Sequence, residues 1–150
     1  MKRYLKKATG LLLAVSLLVV AFATPASAAL ERSSLYLDCY RAWLTPQSGG
    51  KINVTIDVQA VDYMEKVGAL EVAMYESADG GATWELDSIY TNSIFPDLLQ
   101  EDTYWYCETP ISHQGTVGYK YFAVVTVYAR DSTGSDSKEY QTTTVTAKRF

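Results

Sequence analysis

Lys51-Ile52-Asn53-Val54-Thr55-Ile56-Asp57-Val58-Gln59-Ala60 alternates apolar and polar residues without a break. A period of two puts Ile52, Val54, Ile56, Val58 and Ala60 on one face of an extended chain and Asn53, Thr55, Asp57 and Gln59 on the other. That is a strand in a sheet packed on one side and wet on the other. Gly49-Gly50 marks a turn just before it. Upstream, Leu35 to Ala42 predicts a first strand that ends near Pro46. Downstream, Leu70, Val72 and Met74 alternate with Glu71, Ala73 and Tyr75 after a turn at Gly68. Trp84 to Ser88 gives a fourth strand. Asn92 to Asp102 predicts a loop or short helical turn, and Tyr104 to Glu108 a fifth strand closed by Pro110. Tyr119 to Arg130 is the longest strand and is apolar on both faces, which places it centrally. Lys138 to Ala147 pairs back on it across the turn Asp131-Ser132-Thr133-Gly134-Ser135. The expectation is an all-β chain: an antiparallel β-sandwich of about seven strands.

The segment before these strands belongs to a different kind of sequence. Lys2, Arg3, Lys6 and Lys7 precede an apolar run from Leu11 to Ala23 that only Ser16 interrupts, and Ala26-Ser27-Ala28 follows as a small-x-small cleavage pattern. Residues 1–28 are expected to be a secretory signal peptide and residues 29–150 a single secreted domain. The apolar run is too short for a spanning helix, which needs about 20 residues, so no membrane attachment is expected after cleavage. Removing the four signal cations leaves nine bases against 17 acids, a net charge of −8. That excludes nucleic acid and an anionic membrane surface as expected partners, since both need a cationic face.

Ser77-Ala78-Asp79-Gly80-Gly81-Ala82-Thr83-Trp84 matches S-x-D-x-G-x-T-W at Ser77, Asp79, Gly81, Thr83 and Trp84. It resembles the Asp-box, the hairpin turn of sialidase-type propellers. In such a turn the Asp bonds backbone amides, the glycines take left-handed dihedrals and the Trp covers the hairpin base. A single copy in a chain of this length builds no propeller, so the resemblance implies a structural turn and no glycosidase activity. Gly118-Tyr119-Lys120-Tyr121-Phe122-Ala123-Val124-Val125, with Ala129-Arg130-Asp131-Ser132-Thr133-Gly134-Ser135, resembles the last hairpin of a fibronectin type III or immunoglobulin-like domain. That resemblance implies a tyrosine corner at Tyr121, its hydroxyl tied to nearby backbone. Lys66-Val67-Gly68 and Thr144-Val145-Thr146-Ala147 resemble a turn and a closing strand found in short secreted proteins of Gram-positive bacteria, a group of uncharacterised function.

Cys39 and Cys107 are the only cysteines. In a secreted domain they are expected to form a disulfide between the first and fifth strands, the alternative being two buried thiols. His113 is the sole histidine, expected in a loop. One histidine and two cysteines make no usual zinc site, and the chain has neither a Gly-x-Ser-x-Gly elbow nor a phosphate-cradling glycine loop. No cofactor, metal or catalytic residue is expected. Tyr104, Trp105 and Tyr106 are consecutive, so at least one large ring faces outward, where it can stack on a sugar ring or a partner side chain. The expected function is non-enzymatic extracellular recognition or adhesion, with a cell-wall glycan, another polysaccharide or an extracellular protein as partner. A small carbohydrate-active hydrolase and a self-assembling surface or biofilm protein are the alternatives.

Overall fold

The computed structural model describes residues 34–150, and the expected signal segment lies outside them. The described chain is all-β. Its strands are β1 (Leu37–Pro46), β2 (Lys51–Ser77), β3 (Glu85–Thr91), β4 (Leu99–Gln114), β5 (Lys120–Arg130), β6 (Ser135–Gln141) and β7 (Val145–Thr146). The helical elements among the described residues are two 3-10 turns, Ser48–Gly50 and Pro96–Leu98. All strand pairs are antiparallel and belong to one sheet.

β2 organises that sheet. Over Ile52 to Ala60 it pairs with β1 along one edge and β4 along the other. Over Lys66 to Ser77 it pairs with β5 along one edge; the other edge is taken by β4 as far as Gly68 and by β3 from Glu71 to Glu76, and β6 extends the sheet beyond β5. The expected second and third strands are therefore one continuous strand. Between the halves, Ala60 to Tyr63 stand against Tyr104 alone, because β4 jumps in register from Gln59↔Trp105 to Met64↔Thr103. An insertion of that kind bends and twists a strand, and at this bend β2 exchanges β1 for β5 along one edge while β4 continues along the other. The sheet curls far enough for its ends to meet: Tyr40 of β1 packs edge-on against Tyr140 of β6, ring centroids 6.2 Å apart.

The core lies inside the curl. The first half of β2 supplies Ile52, Val54, Ile56 and Val58, all buried as their alternation requires. Its second half supplies Val67 and Ala69, then Val72 and Met74. The phase changes because the pairing with β5 skips a residue between Ala69 and Glu71. Leu70, expected to share a face with Val72 and Met74, is half-exposed for that reason. β5 contributes Tyr121, Ala123, Val125, Val127 and Ala129. Each buried aliphatic side chain is worth about 1.5–3 kcal/mol of apolar transfer.

Gly68 is not the turn that the sequence predicts. It lies within β2 with φ 146, and a Cβ there would overlap the Leu98 carbonyl oxygen. Glycine is present because the Pro96–Leu98 turn presses directly on the strand. The fifth strand is longer than expected and runs through Pro110. β4 pairs with β2 alone, so proline's missing N–H removes no ladder bond on its open edge. A bulge there sets Thr109 and Pro110 against Thr55 alone. The expected last strand is split by Thr142, whose Oγ1 accepts from Ala123 N–H at 2.9 Å while its own N–H donates to the Ala123 carbonyl at 2.9 Å.

Gly68→Ala is expected to lower stability by about 3 kcal/mol, through steric overlap and a backbone angle that L-residues resist. Urea denaturation followed by tryptophan fluorescence measures it; a change within about 0.5 kcal/mol would show that the Leu98 turn yields freely.

Candidate binding face

The outward side of β1, β2 and β4 is built in rows set by strand register. Cys39, Gln59 and Trp105 form one row, and Arg41, Asp57 and Cys107 the next. Trp43 stands opposite Thr55, and Thr55 Oγ1 is 2.8 Å from Thr109 Oγ1 on β4. The polar half of the alternation at Asn53 to Gln59 thus supplies the middle of a face whose flanks carry two indoles.

Asp57 holds this face together. Its Oδ1 accepts from Trp105 Nε1 at 2.8 Å, and its Oδ2 accepts from Arg41 Nε at 2.8 Å with Nη2 also at 2.8 Å. The two-nitrogen contact from a planar guanidinium restricts the arginine's orientation. Arg41 in turn lies over Trp43, its Cζ 5.3 Å from the ring centroid, within cation–π range. The chain Trp43–Arg41–Asp57–Trp105 fixes both rings, yet Trp105 stays 52% exposed. Beside it an open depression of about 410 Å³ is lined by Cys39, Tyr40, Arg41, Asp57, Gln59 and Trp105.

The three consecutive aromatics divide in an unexpected way. Tyr106 is buried in the core, its hydroxyl donating to the Asp97 carbonyl at 2.6 Å, and burial pushes its pKa up. Trp105 faces outward. Strict alternation would send Tyr104 inward, but it is 45% exposed and lies against Tyr63 with ring centroids 5.2 Å apart. Tyr104 is the single residue facing the β2 bend, where alternation fails. Trp43 is among the aromatics that the sequence offers as able to join this strip, and Tyr63 is not. Trp43 has the same outward phase as Arg41, so the alternation in β1 was the available signal. Tyr63 had none, because the bend was not legible.

The expected Cys39–Cys107 disulfide is absent: the two cysteines are not bridged. β1 and β4 flank β2 on opposite edges, so the two backbones are about 10 Å apart or more. A disulfide requires Cα atoms within about 7 Å. Cys39 Sγ contacts Gln59 Oε1 at 3.7 Å, and Cys107 is exposed. Burial, with Asp57 nearby, raises the Cys107 thiol pKa and slows its reaction as a thiolate.

The other singled-out residues lie away from this face. Asp79 closes the β2–β3 turn. It accepts from Ser77 Oγ, from the N–H groups of Ala82 and Thr83, and from Thr83 Oγ1. Ser77 Oγ also accepts from Gly81 N–H at 2.8 Å. Hydrogen bonds from Thr83 and Ser77 hold the Asp79 carboxyl well below the usual carboxylate range. Trp84 packs edge-on against Phe122, centroids 4.7 Å apart. Tyr121 is buried at the start of β5; its hydroxyl accepts from Thr116 N–H at 2.8 Å and donates to Glu76 Oε2 at 2.8 Å. His113 is not in a loop. It sits in β4 opposite Ile52 and is buried. No group of three or more His, Cys, Asp or Glu residues among the described residues is arranged to hold a metal ion.

No protein-family model, curated protein or solved structure matches the chain.

In the folded, unreduced protein Cys107 is expected to take up iodoacetamide, read by peptide mass spectrometry; protection of Cys107 until reductant is added would show a bridge. Tyr121→Phe strips the partner from Thr116 N–H and from Glu76, and is expected to cost about 1–3 kcal/mol in urea denaturation.

Proposed function

We propose that this chain is a secreted, non-enzymatic recognition domain that binds a neutral polysaccharide on the outer face of β1, β2 and β4. The carrying observation is Trp105, half-exposed yet fixed by its hydrogen bond to Asp57. A ring already held in place loses little freedom on binding. Pyranose rings present C–H faces that stack on indoles and hydroxyls that pair with neutral polar side chains. Around Trp105 and Trp43 the face offers Gln59, Thr55 and Thr109, and its central charges, Arg41 and Asp57, neutralise each other. That balance favours an uncharged polymer over an ionic one.

Secretion rests on the first 28 residues. The strand groups support a fibronectin type III-like or immunoglobulin-like reading. β1–β2–β4 and β3–β2–β5–β6 correspond to the A-B-E and C′-C-F-G groups of such sandwiches, with the second and third strands run together. The Tyr121 hydroxyl tied to Thr116 is the tie that a tyrosine corner makes. The Asp79 bonds suit an Asp-box hairpin used for structure. Membership of the short secreted Gram-positive group is a further part of the reading, carried by Thr144-Val145-Thr146-Ala147 and weakened by Lys66-Val67-Gly68, which lies in a strand.

Residues 29–150 are expected to bind saturably to one of cellulose, chitin, starch or peptidoglycan in a pull-down. Trp105→Ala is expected to weaken that binding at least about tenfold, or about 1.4 kcal/mol, with unchanged circular dichroism. Binding to none of the four polymers overturns the polysaccharide reading. Concentration-dependent self-association in light scattering would then favour a self-assembling surface protein, and turnover of a chromogenic glycoside would favour a hydrolase.

A further inference from the structure

The outer side of the second half of β2 carries a face that the core does not use. Register lays it out in rows across β3, β2 and β5. Leu86, Tyr75 and Phe122 form one row, and Ile89, Ala73 and Val124 the next. Neither row holds a charge. Leu86 is 51% exposed and Ile89 49%, while Tyr75, Phe122 and Val124 are half-buried. The Tyr75 and Phe122 rings lie 4.9 Å apart and 8° from parallel, and Trp84 braces Phe122 edge-on. These rings are held in place before any partner arrives, so they lose little freedom on binding. In the same outward phase, charges flank the two rows. On one side stand Glu71 of β2 and Glu139 of β6, with Thr126 of β5 between them. On the other stands Lys120, opposite Ser77, its Nζ donating to the Gly80 carbonyl.

We propose that this face binds a second copy of the chain, about a two-fold axis that crosses the strands between the two apolar rows. Such an axis reverses strand direction and lays each strand over its own counterpart. The two sheets then pack face to face in the aligned manner. Each Leu86–Tyr75–Phe122 row lies on the Ile89–Ala73–Val124 row of the other copy. Bulk meets space at the centre, because the Tyr75 ring comes over the small Ala73. The flanking charges are matched by the same operation. Lys120 of one copy comes over Thr126 of the other, between Glu71 and Glu139. An unrelated apolar partner would make no use of that placement of charges. The net charge of −8 left after residues 1–28 opposes self-association elsewhere on the surface. Four strands at about 4.8 Å and four rows at about 6.8 Å outline about 500 Å² in each copy. The total, about 1,000 Å², is at the low end for a specific interface, so the dimer is weak and forms at high local concentration. This face lies on the other half of the curl from the β1, β2 and β4 face. The dimer therefore stands whether or not that face takes a polysaccharide.

Sedimentation equilibrium of residues 29–150 from about 10 µM to about 1 mM is expected to show reversible dimers, with a dissociation constant inside that range. Ile89→Glu sets an acid at a half-exposed place in an apolar row and is expected to weaken the dimer at least about tenfold. Lys120→Glu sets an acid beside Glu71 and Glu139 of the other copy and is expected to weaken it about threefold or more. Joined with Glu139→Lys in the same chain, it is expected to recover most of that loss. General stickiness of an apolar surface would show no such recovery. Circular dichroism checks that each variant keeps its fold; if Ile89→Glu does not, Leu86→Lys and the charge exchange decide. A chain that stays monomeric up to about 1 mM overturns the proposal. So does association that grows past a dimer, a dimer that Ile89→Glu leaves intact, or a charge exchange that restores nothing.

Discussion

The structure depends on β2 running as one continuous strand whose backbone carries the ladders of its neighbours. Four of the other six strands pair with it directly, and the remaining two reach it through β5. Its inward side chains line the core in both halves, so the same residues that carry the ladder also exclude water from it. In antiparallel sheets register and facing are coupled, because a slip of one residue would turn the whole apolar set outward. The phase break at Leu70 accordingly falls where the pairing with β5 shifts, and the bend at Ala60 to Tyr63 falls where the pairing with β4 shifts.

This arrangement explains why the candidate binding face and the buried histidine junction are chemically distinct. The face sits on the outer side of the first half of β2, where Asn53, Thr55, Asp57 and Gln59 point to solvent and neighbouring strands add Arg41, Trp43 and Trp105. Its exposed ion pair contributes little to stability; typical exposed pairs give about 0.2–1 kcal/mol. Its consequence is geometric, since Asp57 is shared by a guanidinium and an indole. The junction lies inside the curl, where the start and the end of the same strand come together. There polar groups are few, and each depends on a particular partner: Tyr121 on Thr116 and Glu76, His113 on Tyr90.

Much of the fold was legible locally. The ten residues from Lys51 to Ala60 announce their own buried and exposed faces, and the structure has those faces. The central strand expected at Tyr119 to Arg130 forms as β5 (Lys120–Arg130), although β2 and β4, not β5, are the longest strands. The errors share one cause. A glycine, a proline and a run of polar residues look the same in sequence whether they end a strand or adapt it to a neighbour. Gly68 makes room for Leu98, Pro110 sits in a bulge on an open edge, and Thr142 replaces a ladder bond with its side chain. Each reason lies in a residue distant in the chain.

The sequence by itself determined the all-β class, the apolar core face of β2, an outward phase for Asp57, and an outward place for at least one ring of Tyr104 to Tyr106. Those follow from period-two alternation, which any extended chain obeys. Tertiary structure decided the rest. It kept the cysteines apart by placing β2 between their strands, turned Tyr104 outward at a bend, and drew His113 into the core beside Tyr90, Asp87 and Tyr121. Strand order and curl are properties of non-local pairing, and no local pattern carries them.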